Sequence, residues 1–192
     1  MPKKQRNKPA KSGNKRSSNW TSIILVAILT IVLGIYLLAR YGEKIYEPVV
    51  RQIVPAKTKM VSLYFSEKDG STLNIEKREI KKGERAAEIK ETVEELIKGP
   101  SGKLIPTIPL ETKLLNVTIK GGTAYIDFSS DISTRHPGGS FAEIQTVYSI
   151  VNTAAVNFPE VKNVQILISG KKAKTIAGHI DISFPLTADT TK

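Results

Sequence analysis

The chain has no cysteine among its 192 residues. Disulfides, thiolate metal sites, a cysteine nucleophile and a lipid anchor built on an N-terminal cysteine are thereby excluded, so the fold must rest on its apolar core. Histidine is nearly as scarce, with only His136 and His179 to serve as a base or ligand. A glycine-rich phosphate loop, a dinucleotide fingerprint, a G-x-S-x-G elbow and His-rich metal spacing are all missing, so no cofactor and no metal are expected. Acidic residues are missing from the first 19 positions, which carry seven cations: Lys3, Lys4, Arg6, Lys8, Lys11, Lys15 and Arg16.

What is present is organised around residues 23–39, IILVAILTIVLGIYLLA, seventeen positions without a charge. Extended over residues 20–41 as a helix, the stretch spans roughly 33 Å, enough for a hydrocarbon core of about 30 Å. Trp20 opens it and Tyr36 and Tyr41 close it, which sets amphipathic rings at both headgroup levels. A secretory signal would end in small residues, whereas a cut after Ala39 would leave Leu37 three positions back. A core helix of a soluble domain would carry a polar face, and this stretch has none. The seven cations hold the N-terminus in the cytoplasm and send the rest across as an extracytoplasmic domain, whose lack of disulfides fits a bacterial envelope at least as well as a eukaryotic secretory route.

This topology also explains the formal net charge of +11. From residue 41 onward 21 basic residues face 18 acidic ones, so the outer part is nearly balanced and nucleic acid is not an expected partner. The expected organisation is a disordered basic tail over 1–19, a transmembrane helix over 20–41 and a linker over 42–60 broken by Pro48 and Pro55. A domain over 61–186 and a tail over 187–192 complete it.

Alternation and helical spacing give the elements of that domain. Val61, Leu63 and Phe65 face inward from a first strand, an Asp69-Gly70 turn follows, and residues 73–80 return as a second. Residues 84–98 form an amphipathic helix on Ala86, Ile89, Val93, Leu96 and Ile97, with a Glu94–Lys98 pair and Gly99 as its C-terminal cap. A hairpin follows, with Leu115, Val117 and Ile119 inward on one strand and Ala124, Ile126 and Phe128 on the next. Ser140 and Glu143 have capping-box spacing and start a second helix over 140–158, while 161–169 and 180–184 read as strands. The fold class is α/β (α+β): two helices on one face of a small mixed or antiparallel sheet, behind one transmembrane helix.

Two patches are candidate interaction surfaces. One is the wet sheet face with Thr118, Lys120, Tyr125 and Asp127; the other is the loop with Arg135, His136 and Ser140. A catalytic alternative would place Asp127, Asp131 or His136, with Ser129 and Ser130 nearby, in a peptidoglycan-binding or wall-cleaving site. The simpler reading has His136 exposed in a loop, His179 at a strand edge and both aspartates solvating or capping turns. No catalytic residue is assigned.

The order of LYF, a helix ending LIKGP, TIPLETKLLNVTI, AYIDFS, a Gly-Ser helix start with EIQTVYSIVNT, VQILISG and GHID resembles the GerMN domain family of sporulation and germination proteins. The likeness covers about residues 61–186. It implies a compact domain similar to ring-building motifs, serving as a non-catalytic assembly module of the cell envelope in sporulation or germination. Its partners would be the membrane, envelope proteins and, in an oligomer, further copies of itself, with peptidoglycan as the alternative. Two departures are a single domain where two can occur, and a membrane span in place of a lipid anchor.

Overall fold

The computed structural model describes residues 20–53 and 57–191, with 43–53 described by backbone alone. The expected tail over 1–19 lies outside the described residues. The chain divides into two compact units, Met1–Pro55 and Ala56–Lys192.

In the first unit one helix, α1, runs Trp20–Ile53. Its stretch Trp20–Gly42 has a mean hydropathy of 2.8 and is long and apolar enough to cross a bilayer. The helix continues where a broken linker over 42–60 was expected. A proline inside a helix removes one i→i−4 bond, and here the loss at Pro48 does not end the element. It stops at Ile53, two residues before Pro55.

The second unit is mixed α/β, and its strands divide into two sheets. Strands β1 (Thr58–Ser66) and β2 (Leu73–Lys81) pair antiparallel, Leu63 opposite Glu76. The turn between them places Gly70 at φ 72°, a conformation that costs glycine nothing. The second sheet has the order β3-β4-β5-β6, from β3 (Leu114–Lys120), β4 (Thr123–Phe128), β5 (Asn163–Ile168) and β6 (Lys171–Lys172). Strands β4 and β5 are parallel, so the chain must cross over between them. The crossover carries a single helical turn, α3 (Asp131–Thr134), and the long helix α4 (Ser140–Asn157). Helix α2 (Arg85–Ile97) packs on β1, β2 and β3, while α4 packs on β1, β5 and α2. The two helices thus hold the sheets together, and their shared core includes Leu63, Phe65, Ile89, Leu96, Ile126, Phe128, Ile150, Phe158 and Ile166.

Helix α2 begins on Glu84, whose carboxylate accepts the Ala86 and Ala87 N–H groups, and Gly99 follows its end at φ 83°. Lys98 pairs with Glu95, not with Glu94, which lies 3.9 Å from Lys90. Its acidic residues are not all solvated. Glu88 is buried and meets Lys59 and Arg85, and Glu95 joins Glu76 around Arg78, which ties β2 to the helix C-terminus through the Gly99 carbonyl.

Two strand expectations are corrected. Leu115 is half exposed because the register shifts between Leu114 and Asn116; this bulge turns Leu114, not Leu115, toward the core. Residues 180–184 form no strand. Asp181 accepts both the N–H and the hydroxyl of Ser183, a local turn that competes with a ladder, and Phe184 is left exposed while Ile182 is fully buried.

Helix α4 is buried nearly all round, including Thr146, Ser149, Asn152 and Thr153. Its polar side chains serve backbone that has no strand beside it. Along the outer edge of β1, Asn157 accepts the Ser62 N–H at 2.8 Å and donates to the Ser62 carbonyl at 2.6 Å, while the Thr153 hydroxyl accepts the Tyr64 N–H at 3.1 Å. Asn152 makes the same double bond with the backbone of Asp189, at 2.8 Å each way. Replacing Asn157 by Ala strands a part-buried donor and acceptor, and urea unfolding should show a loss of about 1–3 kcal/mol with an unchanged m-value.

Candidate functional site

Glu143 and Ser140 do not form the expected capping box. Ser140 is the first helical residue, Gly139 precedes it at φ 86°, and no side chain caps this end. Glu143 points instead into the domain, fully buried, where its carboxylate accepts N–H bonds from Ile176 (2.8 Å), Ala177 (2.9 Å) and His179 (2.7 Å). The His179 ring adds a contact at 3.2 Å through Nδ1. Burial works against the charged carboxylate, but the Ala177, His179, Ile176 and Ile180 amides outweigh it and hold its pKa below the usual range. Glu143 therefore pins the segment after β6 onto α4. His179 is a partner in that anchor and lies outside any strand.

His136 is half-buried, not freely exposed. Its Nδ1 accepts the Gly138 N–H at 3.0 Å, which leaves the proton on Nε2 to meet the Thr146 hydroxyl at 2.9 Å. Thr146 in turn donates to the Thr107 carbonyl, and the Thr107 hydroxyl donates to Ser149 at 2.7 Å. Burial lowers the pKa of His136 below the ordinary histidine value. The imidazole is thus a structural bridge between α4 and the preceding loop.

The serine and aspartate candidates are engaged elsewhere. The Ser129 hydroxyl donates to Asp131 at 2.8 Å and accepts the Lys113 N–H, and Asp127 accepts the Gly170 N–H at 2.8 Å. Among the described residues neither histidine bonds a serine, and no three His, Cys, Asp or Glu residues are grouped to hold a metal ion.

Thr118 and Tyr125 are opposite one another in the β3–β4 ladder, and Lys120 is opposite Thr123, so the sheet patch shares one face. Arg135 and Ser140 are exposed at the far side of β4 in sequence, flanking the turn into α4. Beside Arg135 the structure opens a groove of about 490 Å³ that sequence reasoning missed, because its walls come from distant segments. One wall is the β1–β2 turn, held by a 3.2 Å bond from Gln145 to the Gly70 carbonyl. Another is the stretch from Ile105 to Pro109, held by Thr146 and by Ile105 pairing with Ser66. Arg135, Pro137 and the exposed Phe141 complete it. The only hint in the sequence is the unpaired apolar character of Phe141 just inside a helix start.

Fold and surfaces together define a small mixed α/β domain that follows an apolar helix in the chain and carries a groove beside Arg135. The chain belongs to the Germane family, the GerMN-domain family of sporulation and spore germination, which it matches over residues 62–174. It is similar to the crystal structure of a Clostridium perfringens protein described as a lipoprotein, at 28% identity and a TM-score of 0.50, covering 70% of this chain and 91% of that one. It shares the fold of the first GerMN domain of the sporulation protein GerM from Bacillus subtilis, at 23% identity and a TM-score of 0.53, over 67% of this chain and 97% of that one. Against the tandem GerMN domains of the same protein the identity is 24% and the TM-score 0.53, with 68% of this chain covered and 46% of the tandem. No curated protein matches the chain.

The two titrating groups act in the same direction. His136 has a depressed folded pKa, so the unfolded chain binds its proton first and stability falls as pH drops below about 6.5. Glu143 also has a depressed folded pKa, so its contribution is complete above the unfolded carboxylate value and is lost as pH falls through the folded one. Replacing Glu143 by Gln should cost on the order of 2–4 kcal/mol at neutral pH. It should also flatten the acid limb of a melting-temperature profile below about pH 4.5. A variant as stable as the parent at neutral pH would contradict this anchor role.

Proposed function

We propose that the chain is a single-pass bacterial membrane protein whose C-terminal domain is a non-catalytic interaction module of the cell envelope, acting in sporulation or spore germination. The family match over residues 62–174 carries this reading. The apolar stretch Trp20–Gly42 supports an anchor, and the seven uncompensated cations before it support a cytoplasmic N-terminus with residues 57–191 outside. In this arrangement 1–19 is the cytoplasmic tail and 20–41 the span, beyond which α1 continues to Ile53.

A non-enzymatic role is supported by the bonding of the candidate groups. Ser129, Asp131, Asp127 and His136 are each committed to a structural bond, and among the described residues none of these bonds pairs a nucleophile with a base. The contact surfaces on this reading are the Thr118, Lys120, Tyr125 and Asp127 face and the Arg135, His136 and Ser140 loop with its groove. Further copies of the chain are among the partners that these surfaces could serve.

The test is capture of the full tagged chain from detergent-solubilised membranes of sporulating and vegetative cells of the source organism, with mass spectrometry as readout. Envelope proteins enriched only in the sporulating sample are expected. Equal recovery from both samples would overturn the developmental role. Turnover of purified wall material by the full chain, abolished in Asp131→Ala or His136→Ala, would overturn the non-catalytic reading.

A further inference from the structure

Resting on the membrane-anchor reading alone, we propose that the basic pole of the second unit, where β1 begins and β2 ends, docks on a bilayer surface of anionic phospholipid headgroups.

That pole is built from segments far apart in the chain. Thr58 is paired with Lys81 at the open end of the β1–β2 hairpin, and the Lys82 N–H donates to the Lys57 carbonyl at 2.7 Å. Beside it the Phe158 ring is covered by two cations, Lys59 at 4.1 Å and Arg85 at 5.5 Å from its centre. The chain leaving Phe158 then meets the β3–β4 turn, where the Gly122 carbonyl accepts the Lys162 N–H at 2.8 Å and Lys120 is opposite Thr123. Lys57, Lys81, Lys82, Lys120 and Lys162 are all exposed at this end.

The carboxylates of the pole are engaged, whereas these five lysines are not. Glu88 is buried and meets Lys59 and Arg85, and Glu160 pairs with Arg85. Glu84 accepts the Ala86 and Ala87 N–H groups, Glu91 the Lys81 N–H and Glu79 the Thr58 hydroxyl. Among the described residues the five lysines have no ion-pair partner. With Lys59 and Arg85 added to them, seven cations stand against five carboxylates, and the pole is net positive. The other end of β1, about 27 Å away, does not share this excess: Glu67, Asp69 and Glu111 line the groove there with Lys68 and Arg135. An anionic surface therefore attracts one pole of the domain over the other.

Covalent connection selects lipid as that surface. Only residues 43–57 join the end of the apolar stretch at Gly42 to Lys57, so even a fully extended chain keeps this pole within about 54 Å of the span. Docking is then an intramolecular step, for which several weak contacts between lysine and phosphate suffice. A soluble polyanion has no such advantage.

The test uses the full chain in lipid nanodiscs. Because the chain has no cysteine, one introduced thiol carries a fluorophore at a single site. Gly83→Cys places it at the basic pole, where a Cβ meets no neighbour, and Thr72→Cys places it at the other end of the hairpin. A quencher on the lipid headgroups reports approach to the surface. The label at position 83 should be quenched about threefold more in phosphatidylglycerol discs than in phosphatidylcholine discs, and about 0.5 M salt should remove the difference. The label at position 72 should show no dependence on lipid charge. Lys81→Glu with Lys82→Glu, or Lys120→Glu with Lys162→Glu, should lower the docked-to-free ratio roughly tenfold. These positions are exposed, and an unchanged unfolding midpoint would show that the fold is retained. Equal quenching in the two lipids, equal quenching at the two label sites, or indifference to both charge reversals would overturn the docking. The anchor is read separately, by whether alkaline carbonate releases the chain from cell membranes. A retained chain without lipid-dependent quenching keeps the anchor and loses the docking, whereas a released chain loses both.

Discussion

A carboxylate sealed from water has to be met by donors, and the domain is arranged so that Glu143 is. The chain after β6 has no ladder of its own; it lies where it does because the amides of Ile176, Ala177 and His179 converge on one side chain of α4. That convergence closes the end of the second sheet and carries the chain on to Ile182, which is buried, and to Leu186, which bridges back to Val164 on β5. One glutamate therefore joins the crossover helix to the last segment of the fold.

The same principle runs the length of α4. A helix that packs on β1, β5 and α2 at once leaves little of its middle to water, so its buried polar residues must bond inward. They do so by serving backbone that regular structure does not reach: Asn157 and Thr153 close the edge of β1, Asn152 holds Asp189, and Thr146 holds Thr107. An edge covered in this way is shielded from pairing with other chains.

The groove is a by-product of this scheme. Gln145 and Thr146 hold its two walls because they are spent on backbone groups, and the proline and isoleucine side chains between Ile105 and Pro109 face the polar and charged residues of the β1–β2 turn. An interaction module with a preformed slot pays little conformational entropy when it binds.

The apolar helix, the mixed α/β class, helix α2 with its glycine stop and the hairpins were legible because each is set by local chemistry. Hydropathy over 23 residues, a 3.6-residue stripe, an Asp-Gly turn and left-handed glycines act within a few residues of one another. The resemblance in motif order was legible for the same reason. Glu143 misled, and Thr153 and Asn157 gave no signal, since a polar residue on a helix is written identically whether it faces water or a distant amide. The bulge that exposes Leu115, the turn at Asp181 and the persistence of α1 past Pro48 were likewise decided by competition between local preference and neighbouring structure. The amino-acid sequence by itself determined most of the elements and the apolar helix ahead of them, through short-range sterics and hydropathy. Only the tertiary structure decided which polar groups are buried, how the strands divide into two sheets and where a groove opens, because those outcomes depend on hydrogen bonds between residues 30 to 95 positions apart.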